Sequence, residues 1–222
     1  MIDLSPLLLS FEVATIATCA ATALGVALAG ALAAPRLWGR EVWDAAITAP
    51  MVLPPTVLGY YLLVLLGRGS SIGRAFEALF GSPIVFTRGG AVIAASVGAL
   101  PLITKAARAA LEAVDPRFVG AARTLGAGRL RAFFSISLPL AQRGILAGVL
   151  LGYARALGDF GVTLMVAGNI PGETRTASLA IYDAVLSGRD ADARSLCLIM
   201  TALAMTVLIS ASYLTRQKRD GF

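Results

Sequence analysis

The stretch FVGAARTLGAGRLRAFFSISLPLA, Phe118 to Ala141, changes character half-way along. Its first half is small residues and arginines, too polar for the interior of a bilayer. Its second half turns apolar and closes on Leu138 and Pro139. Such a change predicts a segment that lies in water and then returns to a membrane. Just upstream, Asp115-Pro116 is a good helix start, an N-cap carboxylate followed by proline at the first helical position. Phe118, Ala121, Ala122 and Leu125 then share one face at i, i+3, i+4, i+7 spacing. Gly126 supplies a left-handed position where that helix can end. A second short helix, RLRAFFSISL, leads back toward lipid, with Pro139 marking the start of the next span. The small alanines would let a partner's backbone approach closely. The periodicity fits equally well a helix lying on the membrane with Arg117 and Arg123 on lipid phosphates.

Composition supports the membrane. The chain has 222 residues, 57% hydrophobic and only 14% charged, with a mean hydropathy of +0.79. A soluble domain is about a quarter charged. A bilayer core of ~30 Å needs ~20 apolar residues per helical span, and residues 13–35, 45–67 and 195–215 are uncharged runs of that length. The expectation is one all-α domain over 1–222, a polytopic bundle of about five spans at 8–33, 45–66, 89–111, 140–167 and 194–215. In the third, Lys105 and Arg108 are expected to snorkel to the interface.

Five spans put the termini on opposite sides. With the N-terminus outside, the inner pieces hold Arg36, Arg40, Lys105, Arg108, Arg117, Arg123, Arg129, Arg131, Arg143, Arg216, Lys218 and Arg219. The outer pieces hold Arg68, Arg74, Arg88, Arg175, Arg189 and Arg194. The twofold excess prefers this orientation, with a cytoplasmic C-terminus.

Several chemistries find little material. There is no histidine, which removes the commonest general base. Cys19 and Cys197 lack metal-ligand spacing and read as small buried hydrophobes. Neither Lys105 nor Lys218 sits in a phosphate-binding loop. No catalytic residue, metal or bound cofactor is expected on this chain, and no nucleic-acid partner. The N-terminus carries Asp3 and no basic residue before its apolar run, unlike a signal peptide.

Polar and helix-breaking residues at membrane depth are the candidate site. Pro50, Pro54 and Pro55 either break the second span, turning freed carbonyls toward protein or water, or merely kink it near its end. Arg155 and Asp159, four apart in the expected fourth span, can pair on one helix face. They form either a structural lock or a charge beside the route of an anion. The outer loop, 168–193, begins with the turn formers Gly168, Asn169, Pro171 and Gly172. Its segment from Thr176 to Val185 is expected as a short helix dipping back to the bundle. Glu12 is expected to hydrate near the outer interface.

The sequence AARTLGAGRLRAFFSISLP resembles the cytoplasmic EAA loop of permease subunits of bacterial ABC importers. The family pattern is E-A-A, three residues, G, nine residues, I-x-L-P. Ala121-Ala122, Gly126, Ile136, Leu138 and Pro139 stand at those spacings, while Gly120 replaces the glutamate. PMVLPPTVLGYYLLVLLGRGSSIG (50–73), ALEAVDPRFVGAARTLGAGR (110–129) and ARALGDFGVTLMVAGNIPGETRTASLAIYDAV (154–185) resemble the molybdate permeases in particular. Sulfate and thiosulfate permeases share part of this pattern. An ion-driven secondary transporter is the alternative from another class, but its internal repeats are missing. The resemblance implies a type I importer permease in the plasma (inner) membrane of a prokaryote, working as a homodimer by alternating access. It implies residues 116–139 as the coupling loop that docks on an ATPase subunit, present twice, which would hold ATP and Mg. It further implies an extracytoplasmic molybdate-binding protein that meets the outer loop. Tungstate, nearly identical to molybdate in size and charge, is not separated by any residue seen here.

Overall fold

The computed structural model describes residues 4–33 and 39–216. Asp3, Arg36, Lys218 and Arg219, used in the readings above, lie outside the described residues. Helix α1 (Ser5–Leu32) is the first span. Helices α2 (Arg40–Val52) and α3 (Pro55–Leu66) form a pair bent by 111° between them where the second span is expected. Helix α4 (Ser71–Phe80) is short, and α5 (Arg88–Glu112) is the third span. Helix α6 (Pro116–Thr124) is followed by α7 (Arg129–Ala132), which runs through a π-helical turn, Phe133–Ser137, into α8 (Leu138–Leu157). After a break come α9 (Gly161–Ala167), α10 (Ala177–Leu186) and α11 (Asp190–Arg216). Four helices are long and apolar enough to cross a membrane, or five spans when the bent pair is counted as one.

The fourth span departs from its expected limits at both ends. The helix that carries it starts at Arg129 rather than near 140, because Pro139 does not interrupt that helix. Proline cannot donate to the carbonyl four residues back, and its ring crowds that turn. The π-helical turn immediately upstream widens the helix where that crowding falls. At the other end the span stops at Leu157 rather than 167, with Gly158 at its C-cap. Asp159 therefore lies in a break between two helices and not within one. Helix α4 was not foreseen. Ten residues with two charges are too short for a hydropathy signal, yet Ser70 Oγ accepts from the Gly73 N–H at 2.8 Å and Gly81 ends the helix at φ 72°.

Helices α1, α5 and α8 form the centre, and small residues set their distance. A side-chain carbon added to Gly144, Gly148 or Gly152 of α8 would stand 2.6, 2.4 or 2.5 Å from Ala110, Ala106 or Ile103 of α5. Backbones approach this closely only over glycine and alanine. On α1, Ala14, Ala17, Ala21 and Ala29 are buried in turn. Other large apolar side chains, Leu8, Ile16 and Leu24 among them, face outward, as lipid permits. Cys19 and Cys197, expected to be buried, are exposed for the same reason: an apolar neighbourhood in sequence here means a lipid-facing surface.

Candidate functional site

The prolines of the second span produce an elbow rather than a kink. Leu53 and Pro54 are extended, with ψ 138° and 137°, and Pro55 starts α3 where its missing donor costs nothing. The far side of the elbow is locked. A carbon on Gly59 would lie 2.6 Å from Met165 Cβ, and one on Gly161 would lie 2.7 Å from Pro55 Cβ. Leu58, Val162 and Val166 are buried between α3 and α9.

A cavity of about 170 Å³ opens at the elbow, lined by Pro50, Leu53, Pro55, Leu58 and Gly98 among others. Arg155 is the one charged side chain in its wall among the described residues. Its Nη1 donates to Asp159 Oδ1 at 2.9 Å. The second carboxylate oxygen of Asp159 accepts from the backbone N–H and hydroxyl of Thr163, at 2.9 and 2.7 Å. Asp159 thus caps α9 while it holds the arginine. The Asp159 side chain is 2% exposed and the Arg155 side chain 36%, so the positive partner faces the open space and the negative one is sealed behind it. Gly98 lies beside the pair, with Arg155 Cζ at the ordinary contact distance of 3.6 Å from the place a side-chain carbon would take. The arrangement offers an anion in the cavity the free N–H edge of an oriented guanidinium, without a full unpaired charge. Gly98 and Thr163 were missed in the sequence reading. Thr163, four residues after Asp159, was legible as a capping partner, whereas Gly98 carries no local signal.

Near the Glu112 end of the bundle, α2 is held by charge. Arg40 Nη2 donates to Glu112 Oε1, and Arg108 bridges Asp44 Oδ1 at 3.0 Å and Glu112 Oε1 at 2.9 Å. None of the described residues of α2 is buried.

The segment after Glu112 folds largely as its punctuation predicts. Asp115 Oδ1 accepts from the Arg117 N–H at 2.9 Å. Gly126 takes φ 87°, while Ala127 N–H donates to Ala122 O and Gly126 N–H to Arg123 O, the paired bonds of a Schellman ending. The expected common face is divided, however. Phe118, Ala121 and Leu125 are exposed, whereas Ala122 is half-buried with Val119, because α6 packs on the π-helical turn. Ile136 and Leu138 are half-buried and Pro139 exposed. Leu138 packs with Ala107, Leu111 and Ala141, so it roots the segment in the bundle.

The stretch from Gly168 is a folded loop and not a loose connector. Gly168 adopts φ 72°, ψ −165°, a region open essentially to glycine, and Gly172 takes φ 77°. The carbonyl of Ile170 accepts from the N–H groups of Glu173, Thr174 and Arg175. Arg175 Nε donates to Asn169 Oδ1 at 2.9 Å, and Pro171 is exposed at the tip. Arg88 ties the loop to α5 by donating to the carbonyls of Gly172 and Glu173, at 3.1 and 3.3 Å. It also pairs with Glu12 at 3.6 Å, a partner the sequence reading did not foresee for that glutamate. Helix α10 follows where a short helix was expected, seated by Ala177 N–H donating to Ser10 Oγ at 2.7 Å.

Residues 21–217 match the model of a family described as binding-protein-dependent transport system inner membrane component. The chain belongs to that family. It is 44% identical over 214 residues to the molybdenum transport system permease protein ModB of Escherichia coli K12, covering 96% of this chain and 93% of that one. It is 43% identical over 208 residues to the putative molybdenum transport system permease protein YvgM of Bacillus subtilis, covering 92% and 91%. Among solved structures, a chain of the inward-facing MetNI methionine ABC transporter superposes with a TM-score of 0.75, covering 97% of this chain and 95% of that one at 13% identity. That likeness establishes the fold, of the expected all-α kind. With its apolar spans, the family member is a multi-pass membrane protein.

Proposed function

We propose that this chain is the membrane-spanning permease subunit of an ATP-driven importer that translocates molybdate, and tungstate with it, by alternating access. The observation that carries the reading is the near full-length relation to molybdenum transport permeases. The elbow cavity, with one oriented guanidinium in its wall, suits a small dianion in passage. Because Asp159 already holds Arg155, the site attracts an anion without trapping it, as a conduit requires.

In this reading the permease is not itself an enzyme; a partner ATPase holds ATP and Mg. The Glu112 end and residues 116–139 face the cytoplasm of a prokaryotic cell whose inner membrane holds the bundle. Phe118, Ala121 and Leu125 meet the ATPase, while Ala122, Ile136 and Leu138 hold their segment in place. Two permease chains and two ATPase subunits form the transporter, and an extracytoplasmic molybdate-binding protein delivers the anion at the end that carries Gly168, Asn169, Pro171 and Gly172.

The test is uptake of labelled molybdate into proteoliposomes that contain this chain, its ATPase and its binding protein. ATP-dependent uptake blocked by tungstate but not by excess sulfate is expected. Competition by sulfate moves the chain to the sulfate branch of the family, and uptake without ATP overturns the importer assignment.

A further inference from the structure

Arginines are treated in two ways in this molecule. Arg40, Arg68, Arg88, Arg108, Arg155, Arg175 and Arg189 are all ion-paired. Arg117, Arg123, Arg129, Arg131 and Arg143 are exposed, and none has an ion partner among the described residues. Outside their segment only Arg74 and Arg194, of the arginines with described side chains, share that condition. The one carboxylate from 115 to 143 is Asp115, already occupied in capping α6. Position 120, where the family pattern has glutamate, is glycine, and nothing lies within 4 Å of the place its side chain would take. Five like charges are thus gathered on one short segment with no acid of its own to offset them, an arrangement that repels itself until something anionic covers it.

Large apolar side chains stand exposed among these arginines: Phe118 at 57%, Leu125 at 88%, Leu130 at 76% and Phe134 at 61%. We propose that the surface on the ATPase subunit that receives α6 and α7 is a cleft with acidic walls, whose carboxylates take up these arginines around an apolar centre. The proposal rests on the coupling role assigned under Proposed function and adds the chemistry of the partner. Arginine suits that task, since its planar fork pairs bidentately with a carboxylate. Between Arg117 and Arg123 the exposed residues of α6 are Phe118, Gly120 and Ala121. Gly120 and Ala121, beside Phe118, give a protein wall close access to the backbone.

The experiment measures binding of the ATPase subunit to the full-length chain in nanodiscs, as salt is raised and in two lipid compositions. In pure phosphatidylcholine, affinity is expected to fall about tenfold or more as salt rises, because such charge pairs are screened. Arg117→Glu/Arg123→Glu and Arg129→Glu/Arg131→Glu are expected to lose at least as much at low salt, while the corresponding lysine variants stay within about threefold of the parent. Binding insensitive both to salt and to charge reversal overturns the acidic cleft. So does a reversal effect seen only when phosphatidylglycerol is present, which assigns the arginines to anionic lipid. Ala121→Trp separates the two layers of the reading. If it abolishes binding while charge reversal does not, docking at α6 stands and its electrostatics fail. If neither changes binding, the coupling assignment itself is wrong.

Discussion

Helix α5 meets two of its neighbours in opposite ways. Against α8 it presents Ala110, Ala106 and Ile103 to a row of three glycines, a contact made of backbone proximity. Against α2 it presents Arg108 and Glu112 to Arg40 and Asp44, and α2 buries none of its described residues. The first contact is blind to charge and intolerant of a single added methyl group. The second tolerates changes of shape and depends on charge. A contact of the second kind can be released and remade without repacking a core, and the end of α2 is a wall of the cavity that Arg155 faces.

The largest effect should come from spoiling the first contact. Gly148→Leu is expected to abolish the folded protein, read as loss of the monodisperse peak in size-exclusion chromatography, and Gly148→Ala to cost about 1–3 kcal/mol in thermal unfolding. An unshifted Tm in either variant would break the contrast. Next comes Arg155→Gln, which leaves the carboxylate of Asp159 buried without its cation, at about 3–5 kcal/mol. The neutral pair Arg155→Gln/Asp159→Asn should recover most of that stability and still fail in uptake. If uptake returns with the neutral pair, Arg155 is a lock only.

A smaller effect tests the charged contact. Glu112→Gln should cost about 1 kcal/mol or less, since the group is half-exposed. Labelling of Leu102→Cys, half-buried in the cavity wall that the end of α2 shares, by a membrane-impermeant thiol reagent should nevertheless rise several-fold, in a background with Cys19 and Cys197 changed to serine. Unchanged labelling would mean that α2 is held by something besides these charges. The smallest effect is a gain. Gly120→Ala lies in an exposed helix interior with open space around it, so it should stabilise by about 0.5–1 kcal/mol, visible as a modest rise in Tm.

The number of spans was legible because lipid demands long uncharged runs, and Asp115 and Gly126 were legible because caps act on their immediate neighbours. The elbow could be suspected from Pro50, Pro54 and Pro55, but its 111° bend could not, since it is set by Gly59 and Gly161 against α9. The Arg155–Asp159 pair was legible from spacing, even though the expected helix around it was wrong. Thr163 seals the carboxylate from four residues away, whereas the cavity that leaves the guanidinium open is walled by α2, α3 and α5, which nothing local announces. Arg40 and Glu112 are 72 residues apart, and nothing local announces that they meet. The face of α6 was half legible: periodicity grouped Ala122 with its exposed neighbours, while packing on the π-helical turn drew it inward.

That turn has a mechanical consequence. Residues 129–157 run without interruption from beside α6 to Arg155, a rod about 40 Å long at 1.5 Å per residue. Its π-helical stretch is braced against α1, where Phe133 lies against Gly30. A rod braced near one end behaves as a beam on a pivot. A tilt of about 5° displaces the far end of a 40 Å helix by about 3 Å, comparable to the reach of one hydrogen bond. A tilt imposed at the arginine-rich segment would therefore reach the guanidinium with no break in the helix to absorb it, carrying with it α5, which is packed on α8 through Gly144, Gly148 and Gly152.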